Sequence, residues 1–307
     1  VLDFDNFKKY NVTAKIDAKI NNWLSYGLNF YYSARDYSGT PPDILQATIG
    51  TPYAYKWKDE AKGILDKAPT PANLVNPFWG ANGQGLYDDN LEKYTSTRIT
   101  AFVSADIPYI KGLNFRLNIS KNKSEYVSGN FRHEMYFLNP DVAADLANPA
   151  KYLASTYGSM SNQLSNSWEV QNLLTYKKSI KLHNLDLLAG YQRDFTSNST
   201  LSTTASDFAS AGTTVLGYYG LHLGNPANQR TYSYYNDRSN LGYLGRMNYN
   251  YNNKYYATFN YRKDGYSAFA EGNKFAEFFG GAVAYAVSEE NFFKKALPKI
   301  NYLKVRA

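Results

Sequence analysis

The chain has 307 residues and no cysteine, which excludes both a disulfide framework and a thiolate metal site. Lys plus Arg total 33 against 26 Asp plus Glu, and this excess of +7 is spread thinly, with no basic block to mark a nucleic-acid partner. Mean hydropathy is −0.52, and no apolar run reaches the ~18 residues of a spanning helix. The best stretch, Phe278 to Val287, is short and broken by Gly280 and Gly281. A spanning barrel stays open, because its strands are apolar on one face only.

From Tyr10 onward the pattern has period two. Tyr10, Val12, Ala14, Ile16, Ala18 and Ile20 alternate with Asn11, Thr13, Lys15, Asp17 and Lys19, as on a strand with one apolar and one polar face. After Asn21-Asn22-Trp23, the residues Leu24, Tyr26, Leu28, Phe30 and Tyr32 alternate with Ser25, Gly27 and Asn29. A three-residue turn sets Ile20 opposite Leu24, Ile16 opposite Leu28 and Val12 opposite Tyr32, so both apolar sets share a face.

The unit recurs. Ile99 to Ile107 leads through Pro108-Tyr109-Ile110-Lys111-Gly112 to Leu113, Phe115, Leu117 and Ile119. Trp168 to Tyr176 leads, through a longer expected turn, to Leu185, Leu187, Ala189 and Tyr191. Leu241 to Tyr249 leads through Asn252-Asn253-Lys254 to Tyr255, Ala257, Phe259 and Tyr261. A further strand is expected over 275–287 and another from about Asn301. The total is about ten strands, each near the ~10 residues a tilted membrane strand needs. Long polar loops are expected over 34–93, 121–166 and 196–237, all on the side opposite the short turns. That asymmetry belongs to an outer-membrane barrel and has no cause in a soluble sandwich.

Tyr contributes 30 residues, more than a soluble core needs, since each buried hydroxyl requires a partner. Tyrosine suits an interface with one apolar and one wet side. Tyr10, Tyr32 and Tyr261 fall at the long-loop ends of their hairpins, and Trp23, Tyr249, Tyr251 and Tyr255 at the turns. Two aromatic girdles are therefore expected. Cross-strand pairing in a soluble sheet is the competing explanation.

One stretch is more specific than its periodicity. Arg262-Lys263-Asp264-Gly265, then Ser267, then Gly272-Asn273-Lys274-Phe275, then Ser288-Glu289-Glu290 and Phe292 closely resemble the barrel of SusC/RagA-type TonB-dependent transporters of the Bacteroidota. Tyr266 and Phe278-Phe279 depart from that pattern without disturbing the strands. Ile107 to Leu113 resembles the family's short periplasmic turn, Asn76-Pro77 its Asn-Pro, and Ile300 to Ala307 the start of its next strand.

The resemblance implies an all-β fold, a transmembrane antiparallel β-barrel of 22 strands with long extracellular loops, of which residues 1–307 are one part. The plug domain, signal peptide and C-terminal strands are expected to lie outside this stretch. It implies active import of glycans or oligopeptides across the cell outer membrane, with a SusD-like lipoprotein as partner and energy from TonB–ExbB–ExbD. Arg262, Asp264, Gly265, Gly272, Asn273, Ser288, Glu289 and Glu290 then carry structural roles. Lumen-facing residues such as Lys15, Asp17, Lys19, Arg98, Arg116 and Gln171 line the wall. The alternatives are a surface carbohydrate-binding β-protein and a passive porin or adhesin barrel without TonB coupling.

Enzyme chemistry finds little purchase. His133, His183 and His222 are at no metal-ligand spacing, so no metal, and no other cofactor, is expected. Asp59-Glu60, Asp88-Asp89 and Glu289-Glu290 are neighbours in sequence, which aims their side chains apart and makes poor acid–base couples. Gly80-Ala81-Asn82-Gly83-Gln84-Gly85 lacks the strand and helix that frame a phosphate cradle. Arg262 to Gly265 reads as a strand end and turn in which Gly265 supplies an unusual backbone angle. Trp57 and Trp79, in the first long loop, stack on a ligand, meet a lid protein, or pack the loop on itself.

Overall fold

The computed structural model describes residues 7–39, 57–62, 64–67, 76–79, 88–140 and 142–307. In chain order the strands are β1 (Lys8–Lys19), β2 (Leu24–Asp36), β3 (Trp57–Asp59), β4 (Ile64–Leu65), β5 (Asp88–Asp106) and β6 (Leu113–Arg132). They continue with β7 (Tyr157–Ile180), β8 (His183–Ser206), β9 (Arg230–Tyr251), β10 (Tyr255–Tyr266), β11 (Phe275–Tyr285) and β12 (Val305–Arg306). Ten of them form one sheet in the order β1-β2-β5-β6-β7-β8-β9-β10-β11-β12, and β3 and β4 form a separate two-stranded sheet. Every pairing in the large sheet is antiparallel, so it is an up-and-down meander, the topology of a barrel wall.

The register follows the apolar pattern. Val12 faces Tyr32 and Ile16 faces Leu28. The Ile20 amide donates to the Leu24 carbonyl at 2.9 Å, and Asn21 Oδ1 closes the turn by accepting from the Trp23 and Leu24 amides. Ala101 faces Ile119, Val103 faces Leu117, and Phe259 faces Met247. Partners across an antiparallel pair share a face. The apolar set is therefore continuous along one side of the wall, from Val12 and Ile16 through Leu28, Val103, Leu117, Leu174, Leu187 and Met247 to Phe259 and Val283. Most of these side chains are exposed, with Ile16 at 56% and Val283 at 61%, while Leu117 and Leu187 are half-buried. An apolar face this broad and bare needs a lipid solvent.

Aromatic rings bound that face at both ends. At the turn end His183, Tyr251, Tyr255 and Tyr285 form a row, with Tyr255 stacked on Tyr285 at 5.0 Å. Towards the long-loop end Trp168 stacks on Phe195 at 6.2 Å, Tyr191 meets Tyr243, and Tyr261 meets Phe279. His183 and Phe195 sit on one strand, about 40 Å apart along it and roughly 30 Å in depth at the usual barrel tilt. That is the thickness of a hydrocarbon core.

Several expectations are corrected. The third hairpin turns on Lys181 and Leu182 alone, with Lys181 at φ 55°, so β7 and β8 each run to 24 residues. The strands also run far into the stretches expected to be loops, since β6 reaches Arg132 and β9 begins at Arg230. Strands of 19 to 24 residues exceed what a bilayer requires, so their upper parts stand in water. β11 stops at Tyr285 rather than Val287, and β12 starts at Val305 rather than near Asn301. The connection between them lies on the short-turn side, yet it is long and carries a helical turn at Val287–Glu289 and a helix at Asn291–Ala296. The glycine-rich stretch 80–85 lies outside the described residues.

Gly112 is the tightest turn position. Its φ is +90°, and a Cβ there would sit 1.9 Å from the Lys177 carbonyl oxygen. That contact is with backbone, so no side-chain movement relieves it. Replacing Gly112 with alanine is expected to cost at least about 1–3 kcal/mol and to break the 2.8 Å bond from the Lys177 amide to the Gly112 carbonyl. Equilibrium unfolding in detergent measures it, and an unchanged midpoint contradicts the reading.

Candidate functional site

The side of the wall opposite the apolar face is mostly polar, with Phe102, Leu173, Leu188 and Leu244 among its polar residues. Register places Lys15, Asp17, Lys19, Arg98, Arg116 and Gln171 together on it. Three of these charges, Lys15, Asp17 and Arg116, have partners. Lys15 pairs with Asp17 at 2.7 Å, and the Arg116 guanidinium lies 3.9 Å over the Phe102 ring. Arg116 Nε donates to Asn118 Oδ1, whose amide donates to Gln171 Oε1 at 3.1 Å. Asn29, Thr100, Ser120 and Glu169 close a recess of about 330 Å³ around this group. A larger recess, about 690 Å³, opens near the turn end between Lys177, Asp186, Asn248, Tyr256 and Lys304. Fixed polar groups on one side and bare hydrocarbon on the other make a wall between water and lipid.

The loops at the other end carry two small cores. In one, Leu65, Trp79 and Leu138 are buried, with Trp57, Phe78, Met135, Tyr136 and Tyr152 packed around them. Trp79 is 2% exposed and its indole N–H donates to the Tyr136 carbonyl at 2.9 Å. Trp57 packs on the same cluster. Both tryptophans thus sit where a loop holds itself together. Asn76 builds the turn before Trp79, accepting from the Phe78 amide and donating to the Asp66 carbonyl. Asp145 is buried below Lys151 and Tyr152, which both bond to it. In the second core Phe131, Ala205, Phe208 and Leu221 are buried, with Met160, Tyr218 and Leu223 around them.

The motif residues divide between the two ends. Arg262 Nε donates to both oxygens of Asp264, at 2.8 and 2.6 Å, on the polar face of β10. Gly265 is inside β10 rather than in a turn, and its φ is not left-handed. Its need is space: a Cβ there would meet the Phe275 ring at 2.5 Å, and that ring lies across the glycine from β11. The left-handed glycine is Gly272, at φ +85°, followed by Asn273 in the β10–β11 connection. Sequence reasoning assigned the backbone requirement to the wrong glycine, because the extended strand through Gly265 ends only one residue later.

Ser288, Glu289 and Glu290 shape the long connection at the turn end. The Ser288 amide donates to the Leu303 carbonyl, and Glu289 pairs with Lys294 at 2.7 Å. Glu290 accepts from Lys254 Nζ at 2.8 Å and from the Tyr255 hydroxyl at 3.3 Å. The Lys254 bond holds the Glu290 carboxyl below its ordinary range, and Glu290 holds Lys254 above its own. The contribution of Glu290 is thus present above the ordinary carboxylate range and fades as pH falls through its lowered value. That of Lys254 is present below the ordinary lysine range and fades as pH rises through its raised value. Hydrogen exchange at the Asn291–Ala296 amides is expected to be slow near neutrality and to lose its protection towards both extremes. In Glu290→Gln the acid-side loss should vanish. An unaltered acid limb would show that another group controls this connection.

Five of the other acidic and histidine candidates each have their own partner. Asp59 pairs with Lys62, Asp88 with Arg132, and Asp89 with His133. His183 meets the Tyr249 hydroxyl at 2.7 Å on the apolar face. Among the described residues no three His, Cys, Asp or Glu side chains group as metal ligands do.

No protein-family model matches the chain. TonB-dependent receptor P3 of Formosa agariphila is 26% identical over 298 residues, covering 94% of this chain and 28% of that receptor. TonB-dependent receptor P26 of the same organism is 28% identical over 46% of this chain and 14% of that protein. The chain thus spans under a third of the length of the curated relatives it matches. Among solved structures, the RagAB peptide importer in its closed-closed state superimposes with a TM-score of 0.71 at 18% identity, over 98% of this chain and 32% of that one. Its open-open state gives 0.70 at 17%, again over 98% of this chain and 32% of that one. Ten meandering strands with a bare apolar outer face and these likenesses agree on the fold: the chain has the architecture of a TonB-dependent receptor's barrel wall, and its Arg262 to Phe292 motif resembles the SusC/RagA type.

Proposed function

We propose that this wall belongs to an active importer of the bacterial outer membrane, with the short turns in the periplasm and the long-loop end outside the cell. The observation that carries the reading is the two-sided wall: apolar and bare outside, polar and internally bonded inside, with loop cores gathered at one end. The likeness to TonB-dependent receptors favours energy supplied through TonB, and the likeness to RagAB favours a SusD-like lipoprotein partner at the mouth. Glycans and oligopeptides are the cargo classes in view. The plug and further strands are taken to lie in other parts of the protein, and residues 1–307 to belong to its barrel domain.

In this reading the motif residues hold the wall together. Arg262–Asp264 braces β10, Gly265 admits the Phe275 ring, Gly272 and Asn273 turn the chain, and Ser288 to Glu290 fix the periplasmic connection. Trp57 and Trp79 order the loop, and any ligand or lid contact by them acts through its outer surface.

Uptake by cells carrying the full gene tests the energised reading against a passive pore. Uptake of the growth substrate that induces the gene should stop when an uncoupler collapses the proton-motive force. Uptake that continues in its presence favours a porin and contradicts the proposal.

A further inference from the structure

We propose that the free edge of β9 above β10 is a strand-addition site for an extended oligopeptide. β10 ends at Tyr266, opposite Asn240, whereas β9 continues upward to Arg230, where among the described residues β8 is the one strand paired with it. The residues Arg230–Arg238 are all exposed. Nine residues of extended strand leave a slot about 30 Å long.

The hydrogen-bonding direction along that edge is fixed by its lowest rung. The Ser239 amide donates to Ser267 Oγ at 2.9 Å, and the Ser267 amide donates to the Ser239 carbonyl at 3.0 Å. Ser239 therefore points its backbone groups towards the β10 side. Ladder groups alternate in direction along a strand. Asp237, Tyr235, Ser233 and Thr231 thus aim their N–H and C=O groups into the slot, and among the described residues none of these groups has a backbone partner. Folded proteins usually guard such an edge with lysine, proline or a bulge. Thr231-Tyr232-Ser233-Tyr234-Tyr235-Asn236 carries no charge, proline or glycine. Its rings are exposed: Tyr232 at 58% and Tyr234 at 47%, nearly parallel on the inner face, and Tyr235 at 62% on the other.

Such an edge reads backbone, and its flanking rings grip side chains without demanding a sequence. A strand laid in this slot buries well under the ~1,200 Å² of a stable protein interface. The occupant is therefore a ligand that comes and goes, not a permanent subunit. The assignment rests on the import reading above and narrows its cargo to oligopeptides.

The test uses the full-length protein purified from its own membrane with its partners retained. The probe is a dye-labelled decapeptide of alternating threonine and glutamine, beside a twin N-methylated at every residue, so that neither of its edges can donate to the slot. The plain peptide should bind at least tenfold more tightly than the twin. Ser233→Pro removes one outward N–H while sparing the β8 ladder, and should weaken the plain peptide at least tenfold; Ser233→Ala should not. The twin comparison needs no variant, so it stands even if Ser233→Pro misfolds. Equal binding of the two peptides, no binding of either, or binding only after partner proteins are stripped away overturns the assignment and leaves import intact. Energy-independent uptake with peptide discrimination preserved overturns the import reading and leaves the edge site standing.

Discussion

Replacing Val103 with arginine is expected to destabilise the barrel by ~2–4 kcal/mol, the cost of a cation on the lipid face near the middle of a bilayer. Val103 is 42% exposed and sits in the apolar row between Tyr26 and Leu117. The cost arises because lipid offers the guanidinium neither water nor a counter-ion, and a side chain at that depth reaches an interface only by distorting its surroundings. Thr100→Arg is the matched control. Thr100 is three residues away on the polar face, in the recess that also holds Glu169. Its cost should stay under about 1 kcal/mol, because lumen substitutions are tolerated. Unfolding by urea in lipid vesicles separates the two. Equal costs would mean that the two faces meet the same solvent.

Phe131→Ala should have an effect of similar size in a different place. The Phe131 side chain is fully buried, edge-on to Phe208 at 5.2 Å and to His133 at 4.7 Å. Removing a buried ring of this kind costs about 3–5 kcal/mol where its site cannot collapse. The loss falls on the upper wall and on the connection after Ser206, which Phe208, Tyr218 and Leu221 tie down. Proteinase K is expected to cut between residues 207 and 229 in the variant and to leave the membrane-embedded strands whole. A wild-type cleavage pattern would show that the connection is held by something other than this core.

Much of the wall was legible in the sequence, for a physical reason. Where lipid lies on one side and water on the other, every second residue must be apolar, and the register of β1 with β2 and of β9 with β10 follows from that alternation. Above the membrane the constraint lapses. Lys121-Asn122-Lys123-Ser124-Glu125 in β6 and Ser197-Asn198-Ser199-Thr200 in β8 are polar on both faces because water reaches both. Composition alone makes them loops, although each lies in a continuous ladder. Candidate-site residues were harder to read. Trp79 carries the same letter whether it greets a ligand or closes a loop core, and only its 2% exposure and its bond to Tyr136 distinguish the two. The edge at Thr231 to Asp237 was invisible for another reason: it exists because β10 is shorter than β9, a relation between strands that no local pattern records.

The central claim is that the sheet separates lipid from water, and nitroxide scanning tests it most directly. These 307 residues contain no cysteine, so once any cysteine elsewhere in the full-length protein is replaced, thiols can be introduced singly from Arg98 to Ala105. In vesicles, labels at Ile99, Ala101, Val103 and Ala105 should be relaxed by oxygen dissolved in the lipid. Labels at Arg98, Thr100, Phe102 and Ser104 should not, and those open to the lumen should respond to a water-soluble nickel chelate. Oxygen accessibility without period two, or nickel access to the odd-numbered set, would contradict a membrane-spanning wall.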